Sequence, residues 1–354
     1  MDSSSSSAGV GLTGDARTHA IQHAGKIAVV PFQIGIGVLT GSAIVVVALR
    51  YVVRHHHVRK LFLDDYLLLF GSACLVAATG LLYWFIHDMF IFEALIEIPD
   101  QVTFASILAN GEVDALLDSN KIIQSYLSMV WTAIFAVKFS FMAYFQSLGA
   151  SFSKPMAVYY WAVVALTFAS WGVCIGGGFI NCPYFGIEGV KCLPNDTIPR
   201  FTAVTAVLTA LDVLTDIMVV SIPIAILHRV KTGTRQKAGL GALLSLSLVM
   251  VVVAFVRMAG IIQPSQKNLD VTWEMFWQHV EGCVAVAMGS LTAFRSLLNR
   301  AGRSRYDGGE AERRSWKKRL LGGKTRGSEG STPSRDQSTE TKSASSQMTP
   351  MVEA

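Results

Sequence analysis

Apolar residues in this chain come in long unbroken runs. They show neither the alternation of a half-buried strand nor the one-sided stripe of a surface helix. Seven runs are each long enough to cross a hydrocarbon layer about 30 Å thick. They lie near Ile27–Leu49, Phe62–Ile86, Ile122–Gln146, Ala157–Phe179, Phe201–Leu227, Ala238–Ile262 and Trp273–Leu297. The pattern predicts an all-α fold, a seven-transmembrane helix bundle over residues 27–298. A Ser-rich tail, 1–26, precedes it, and a basic, then Ser/Thr-rich tail, 299–354, follows. Both tails are too polar to build a core and are expected to be disordered. The segment 87–121 is too long for a simple turn. Within it Phe90, Ile91, Ala94, Leu95 and Ile98 recur at helical spacing, which predicts a short helix on the membrane face. That helix is either a connector shielding helix ends or a lid over a ligand site.

Composition strengthens the membrane reading: 51% of residues are apolar and 16% charged, far from soluble usage. No apolar core precedes a cleavage site near the N-terminus, so the first span is expected to serve as its own targeting signal. Lys and Arg set the orientation, because cytosolic loops collect them. Arg50, Arg54, Arg59 and Lys60 follow the first run; Arg229, Lys231, Arg235 and Lys237 follow the fifth. The segment 87–121 instead holds Asp88, Glu93, Glu97, Asp100, Glu112, Asp114 and Asp118. The N-terminus is therefore expected outside and the C-terminus in the cytosol. Two further features agree. Asn195-Asp196-Thr197 is a glycosylation sequon, usable only on a lumenal or extracellular face. Cys182 and Cys192 sit in the same loop and are expected to form a disulfide, which needs an oxidising compartment. Cys74, Cys174 and Cys283 lie within apolar runs as small buried residues. The stretch Arg313–Leu321, with Trp316 among its cations, suits an anionic inner leaflet. His55, His56 and His57 read either as a metal-binding cluster or as part of a basic face beside the membrane, the second being favoured because no Cys or carboxylate cluster accompanies them.

Charges inside the runs are few enough to weigh singly. Asp64 and Asp65 stand at the cytosolic end of the second, Lys138 in the inner half of the third, and Asp212 and Asp216 near the middle of the fifth. Arg257 and Glu281 fall in the outer halves of the sixth and seventh. At about 1.5 Å of rise per residue, Arg257 matches Glu281 in depth and Lys138 matches Asp216. Such groups are either charge pairs locking a bundle or the lining of a polar cavity for a ligand or a proton path. Other chemistries find no residues. The last run has no lysine for a retinal Schiff base, and Tyr144-Phe145-Gln146 stands where an animal-type rhodopsin-like receptor carries Asp-Arg-Tyr. No Walker loop, zinc-protease helix or nucleophile elbow occurs, so no catalytic residue, metal or cofactor is expected, and no nucleic acid.

Leu61 to Gly71, with its Asp64-Asp65-Tyr66, resembles the fungal rhodopsin-domain family of integral membrane proteins. That family includes receptor-like proteins of plant pathogens and a membrane protein of a satratoxin gene cluster. Cys182, Pro183 and Cys192 are similar to its external cysteine motif. Asp216 with Pro223, and Arg257, are similar to its fifth- and sixth-span residues. Asp270, Thr272, Trp273, Trp277 and Glu281 resemble its opening of the last span. The resemblance covers about Phe32 to Leu298 and implies seven helices, not bound retinal. The expectation is a receptor-like protein of the plasma membrane, its partners being the lipid bilayer, an external small-molecule or surface ligand and a cytosolic signalling partner. The alternative is a transporter or accessory protein of a secondary-metabolite pathway.

Overall fold

The computed structural model describes residues 14–58, 62–98, 102, 104–148, 154–181, 183–184, 198–229, 248–260 and 270–290. Among these residues the only regular secondary structure is helical. In chain order the helices are α1 (Asp15–Gln22), α2 (Val29–Val58), α3 (Leu63–Glu97), α4 (Phe104–Ala109), α5 (Val113–Leu148), α6 (Lys154–Asn181) and α7 (Ile198–Arg229). Then follow α8 (Leu248–Gly260) and α9, residues 271–290. α2, α3, α5, α6 and α7 are long and apolar enough to cross a membrane. α8 is a shorter apolar helix, with 230–247 and 261–269 on either side outside the described residues. α9 carries Glu274, Gln278, His279 and Glu281 among its apolar positions.

The distribution of surface residues is that of a protein in lipid. Large apolar side chains stand exposed on α2, α3, α6, α7 and α8, among them Trp84 at 74%, Val158 at 71% and Phe255 at 68%. Arg50, Lys138, Asp212, Arg257 and Glu281 are buried instead. A water-soluble surface would not leave so broad an apolar belt uncovered. With the backbone bonds closed inside each helix, the bilayer meets only side chains. Among α1 to α7, α3 and α5 form the most extensive pair, α6 packs on both α5 and α7, and α2 lies along α3.

The structure departs from two expectations. Phe90, Ile91 and Ala94 belong not to a separate surface helix but to the last turns of α3, where all three are buried. The helix runs on to Glu97 because Glu93 and Glu97 both have backbone partners there. The backbone N–H of Val271 donates to Glu93 Oε2 at 2.8 Å, and that of Gly25 donates to Glu97 Oε2. The tail expected to be disordered over 1–26 holds α1, which buries Arg17 and Ile21. Arg17 pairs with Glu112, and Lys26 donates its amino group to the carbonyl of Gly260 and its backbone N–H to Asp270 Oδ2 at 2.9 Å. At Gly25, φ is +79°, and a Cβ there would lie 2.4 Å from Thr272 Oγ1; glycine is what lets the chain turn this close to α9. Residues 1–13 and 299–354 lie outside the described residues, as do Cys182, Cys192 and Asn195.

Candidate functional site

The polar interior divides into three groups. At the ends of α2 and α3 furthest from α1, Asp64 and Asp65 occupy the first turn of α3. An acidic side chain there meets free backbone N–H groups and the positive end of the helix dipole. Phe62 N–H donates to Asp65 Oδ2 at 3.1 Å. Arg50 Nη2 lies 2.9 Å from both Asp64 Oδ2 and Asp65 Oδ1, and Arg54 Nη1 lies 2.9 and 2.5 Å from the same two oxygens. Arg50 also donates to the carbonyl of Gly289 at 2.7 Å, tying α9 to this corner. Among the described residues two guanidinium groups face two carboxylates, and their charges balance.

A neutral network fills the space between α2, α3, α5 and α9 around His279, which is fully buried. Tyr126 donates its hydroxyl hydrogen to the carbonyl of Met275 at 3.1 Å, so its oxygen accepts from His279 Nδ1 at 3.2 Å. His279 Nε2 is left to accept, and Thr40 Oγ1 stands 2.9 Å away to donate. Thr79 gives its own hydrogen to the carbonyl of Leu75 at 2.8 Å. Every polar atom of the imidazole has a partner.

The third group joins α5, α7, α8 and α9. Lys138 Nζ reaches Asp212 Oδ1, Thr215 Oγ1 and Asp216 Oδ1, each at 2.9 Å, and the carbonyl of Asp212 at 2.8 Å. Asp212 and Asp216 share a face of α7 because they stand one turn apart. Arg257 is 0% exposed and donates to Thr209 Oγ1 at 2.8 Å. Its Nη1 stands 3.6 Å from Glu281 Oε2 and 3.7 Å from Glu274 Oε1, ion-pair separations that are too long for hydrogen bonds. Arg257 also lies over the Trp131 ring at 5.3 Å. Thr209, which accepts from Arg257, and Asp212, which accepts from Lys138, stand one turn apart on α7 and link the Arg257 and Lys138 ends. A cavity of about 30 Å³ adjoins Lys138 and Asp216, walled by Phe141, Pro223, Met250 and Met288. Pro223 stands within α7 and has no N–H to give the preceding turn.

α9 enters this arrangement through Asp270, whose side chain caps the helix. Oδ1 accepts from Trp273 N–H at 2.7 Å and from Thr272 Oγ1 at 2.8 Å. Trp273 Nε1 then donates to the carbonyl of Arg257 at 3.2 Å. α8 and α9 approach closely at Gly260, where a Cβ would lie 2.0 Å from the Trp273 ring.

The seven intramembrane residues singled out in the sequence thus fall into two places, Asp64 and Asp65 in one, the other five in another. Sequence reasoning missed Glu274, Gln278, His279 and Thr40, and read Arg50 and Arg54 as loop residues. The spacing 274, 278, 281 puts three polar side chains on one helical face, a signal present in the sequence. His55 and His56 lie on α2. Among the described residues no group of His, Cys, Asp and Glu could hold a metal ion.

Fold and interior together define a multi-pass helical membrane protein with a charged core. The profile of the fungal rhodopsin domain matches residues 49–300, and the chain belongs to that family. Neither the curated proteins nor the solved structures offer a significant match.

Proposed function

We propose that this protein is a receptor-like, non-catalytic seven-helix protein of the cell membrane, with α8 and α9 as its sixth and seventh spans. In this reading the α1 end is outside, the Arg50–Asp65 corner faces the cytosol, and an external ligand acts at the α1 end. The observation that carries the reading is the contrast between the two sides of α9. On one side it is held by a balanced ion cluster and a satisfied histidine network. On the other, Arg257 stands 3.6 and 3.7 Å from two carboxylates and closes a hydrogen bond to neither. A joint of that kind rearranges under a small displacement, which is what a two-state element needs. Balanced contacts on the far side give it a fixed frame to move against. Capping of α9 by Asp270, with Lys26 of the N-terminal segment on the same carboxylate, couples the α1 end to this joint.

Pulsed electron resonance between spin labels at Gln146 and Leu248, two exposed positions, tests the proposal in nanodiscs. Candidate extracellular compounds are added, and a compound recognised at the α1 end is expected to change the distance between labels. The same compound should not enter sealed vesicles bearing the protein. Its accumulation inside them would assign the transporter reading instead.

A further inference from the structure

Among the described residues the third polar group does not balance its charges. Lys138 and Arg257 supply the positive charge, one group each. Asp212, Asp216, Glu274 and Glu281 are four carboxyls, all buried. The corner of Arg50, Arg54, Asp64 and Asp65 shows what a matched set looks like in the same protein. Among the described residues, Cys174 on α6, a buried free thiol, and the buried Tyr126 on α5 also face this set. An uncompensated carboxylate in so poorly solvated a place is costly, and it becomes neutral by taking a proton.

The geometry says which carboxyls share it. Glu281 Oε2 stands 3.6 Å from Arg257, which donates to Thr209 one turn before Asp212, so the two acids lie on the facing sides of α9 and α7. Two carboxylates have no hydrogen to offer each other. Asp212 Oδ2 and both oxygens of Glu281 have no donor among the described residues. One proton between the two acids turns a like-charge contact into an O–H···O hydrogen bond. Gln278 is an independent sign that this interior takes up something more. It is fully buried, lies on the same face of α9 as Glu274 and Glu281, and neither its Oε1 nor its Nε2 has a partner among the described residues.

We propose that Asp212 and Glu281 form a proton-binding site inside the bundle, loaded through the cavity beside Lys138 and Asp216, and that the bound proton holds α7 to α9. The cavity is large enough for a water molecule, and Lys138 and Asp216 give that water polar partners. Loading places one hydrogen between Asp212 and Glu281; unloading returns it to water and leaves both groups charged and repelling. The α7–α9 contact is therefore tightest at low pH and loosens as pH rises. This inference stands independently of any receptor role.

The test is infrared spectroscopy of the full chain in lipid nanodiscs, following the C=O stretch of protonated carboxyls against pH. A deuterium-sensitive band is expected that fades reversibly as pH is raised. It should be lost from both Asp212→Asn and Glu281→Gln, because the amide supplies the hydrogen without a titratable acid. Should neither variant fold, Glu281→Asp keeps the acid at shorter reach and must shift the band. Absence of the band from the unmodified protein, its survival in both amide variants or an unshifted band in Glu281→Asp overturns the proposal. So does displacement of the band by sodium at constant pH, which would reassign the site to a metal cation.

Discussion

Lys138 shows how much one residue can carry in a bundle of this kind. Its ammonium group meets the side chains of Asp212, Thr215 and Asp216 together, so Lys138→Met strands two carboxylates at once. Removing one member of a buried pair costs about 3–5 kcal/mol, and thermal unfolding in detergent should record a loss of that order. Adding Asp212→Asn to Lys138→Met should return part of it; a double variant no better than the single would mean that the charges are already neutral. Arg257 makes a different prediction. At 3.6 Å from Glu281 it is held more by Thr209 and the Trp131 face than by one closed ion pair. Arg257→Leu should therefore destabilise more than Glu281→Leu. A double-variant cycle should show coupling of about 0.5–3 kcal/mol between them, and strict additivity of the two losses would separate the residues.

At the scale of elements, α8 and α9 meet where Gly260 leaves space for Trp273. Gly260→Ala places a methyl group into the ring, parts the two helices and breaks the bond from Trp273 Nε1 to the carbonyl of Arg257. Surface expression should fall, and Gly260→Ala with Trp273→Leu should recover much of it; no recovery would mean that the ring is not what crowds the site. Helices α2, α3, α5, α6 and α7 were legible in the sequence because an apolar run that long has few other uses. The ends were less so. α3 continues through Asp88, Glu93 and Glu97, which read as loop charges until Val271 and Gly25 are seen to donate to two of them. α1 was hidden because its buried face is little more than Arg17 and Ile21 within a polar stretch. The charged interior was legible residue by residue, since each charge in an apolar run stands out, but its partners were not. Glu274 and Gln278 sit near a helix start, where polar residues are ordinary, and His279 looks like a lone core histidine. Only the packing of α9 brings them inside.

For the whole molecule, orientation in the membrane decides the chemistry open to its loops. If the loop between α6 and α7 is outside, Asn195 is glycosylated during passage through the secretory pathway. Glycosidase treatment should then sharpen and shift the protein on a gel, and Asn195→Gln should abolish the shift. Cys182 and Cys192 in the same loop should resist thiol labelling on intact cells until a reductant is added. A glycan-free protein with both thiols reactive from the cytosolic side would invert the arrangement. The N-terminal segment has a bearing on how the molecule is made. Gly25 and Lys26 are among the first described residues to leave the ribosome, yet Lys26 finds its partners at Gly260 and Asp270, more than two hundred residues later. Until α8 and α9 have been inserted, that amino group, the Glu97 and Glu93 carboxylates at the end of α3 and the face of Gly25 lack parts of their common setting. A nascent chain therefore carries an unsealed, charged end through most of its synthesis. The seal closes only on arrival of α9, so a product that lacks it is distinguishable from one that has it at a surface that membrane quality control can inspect.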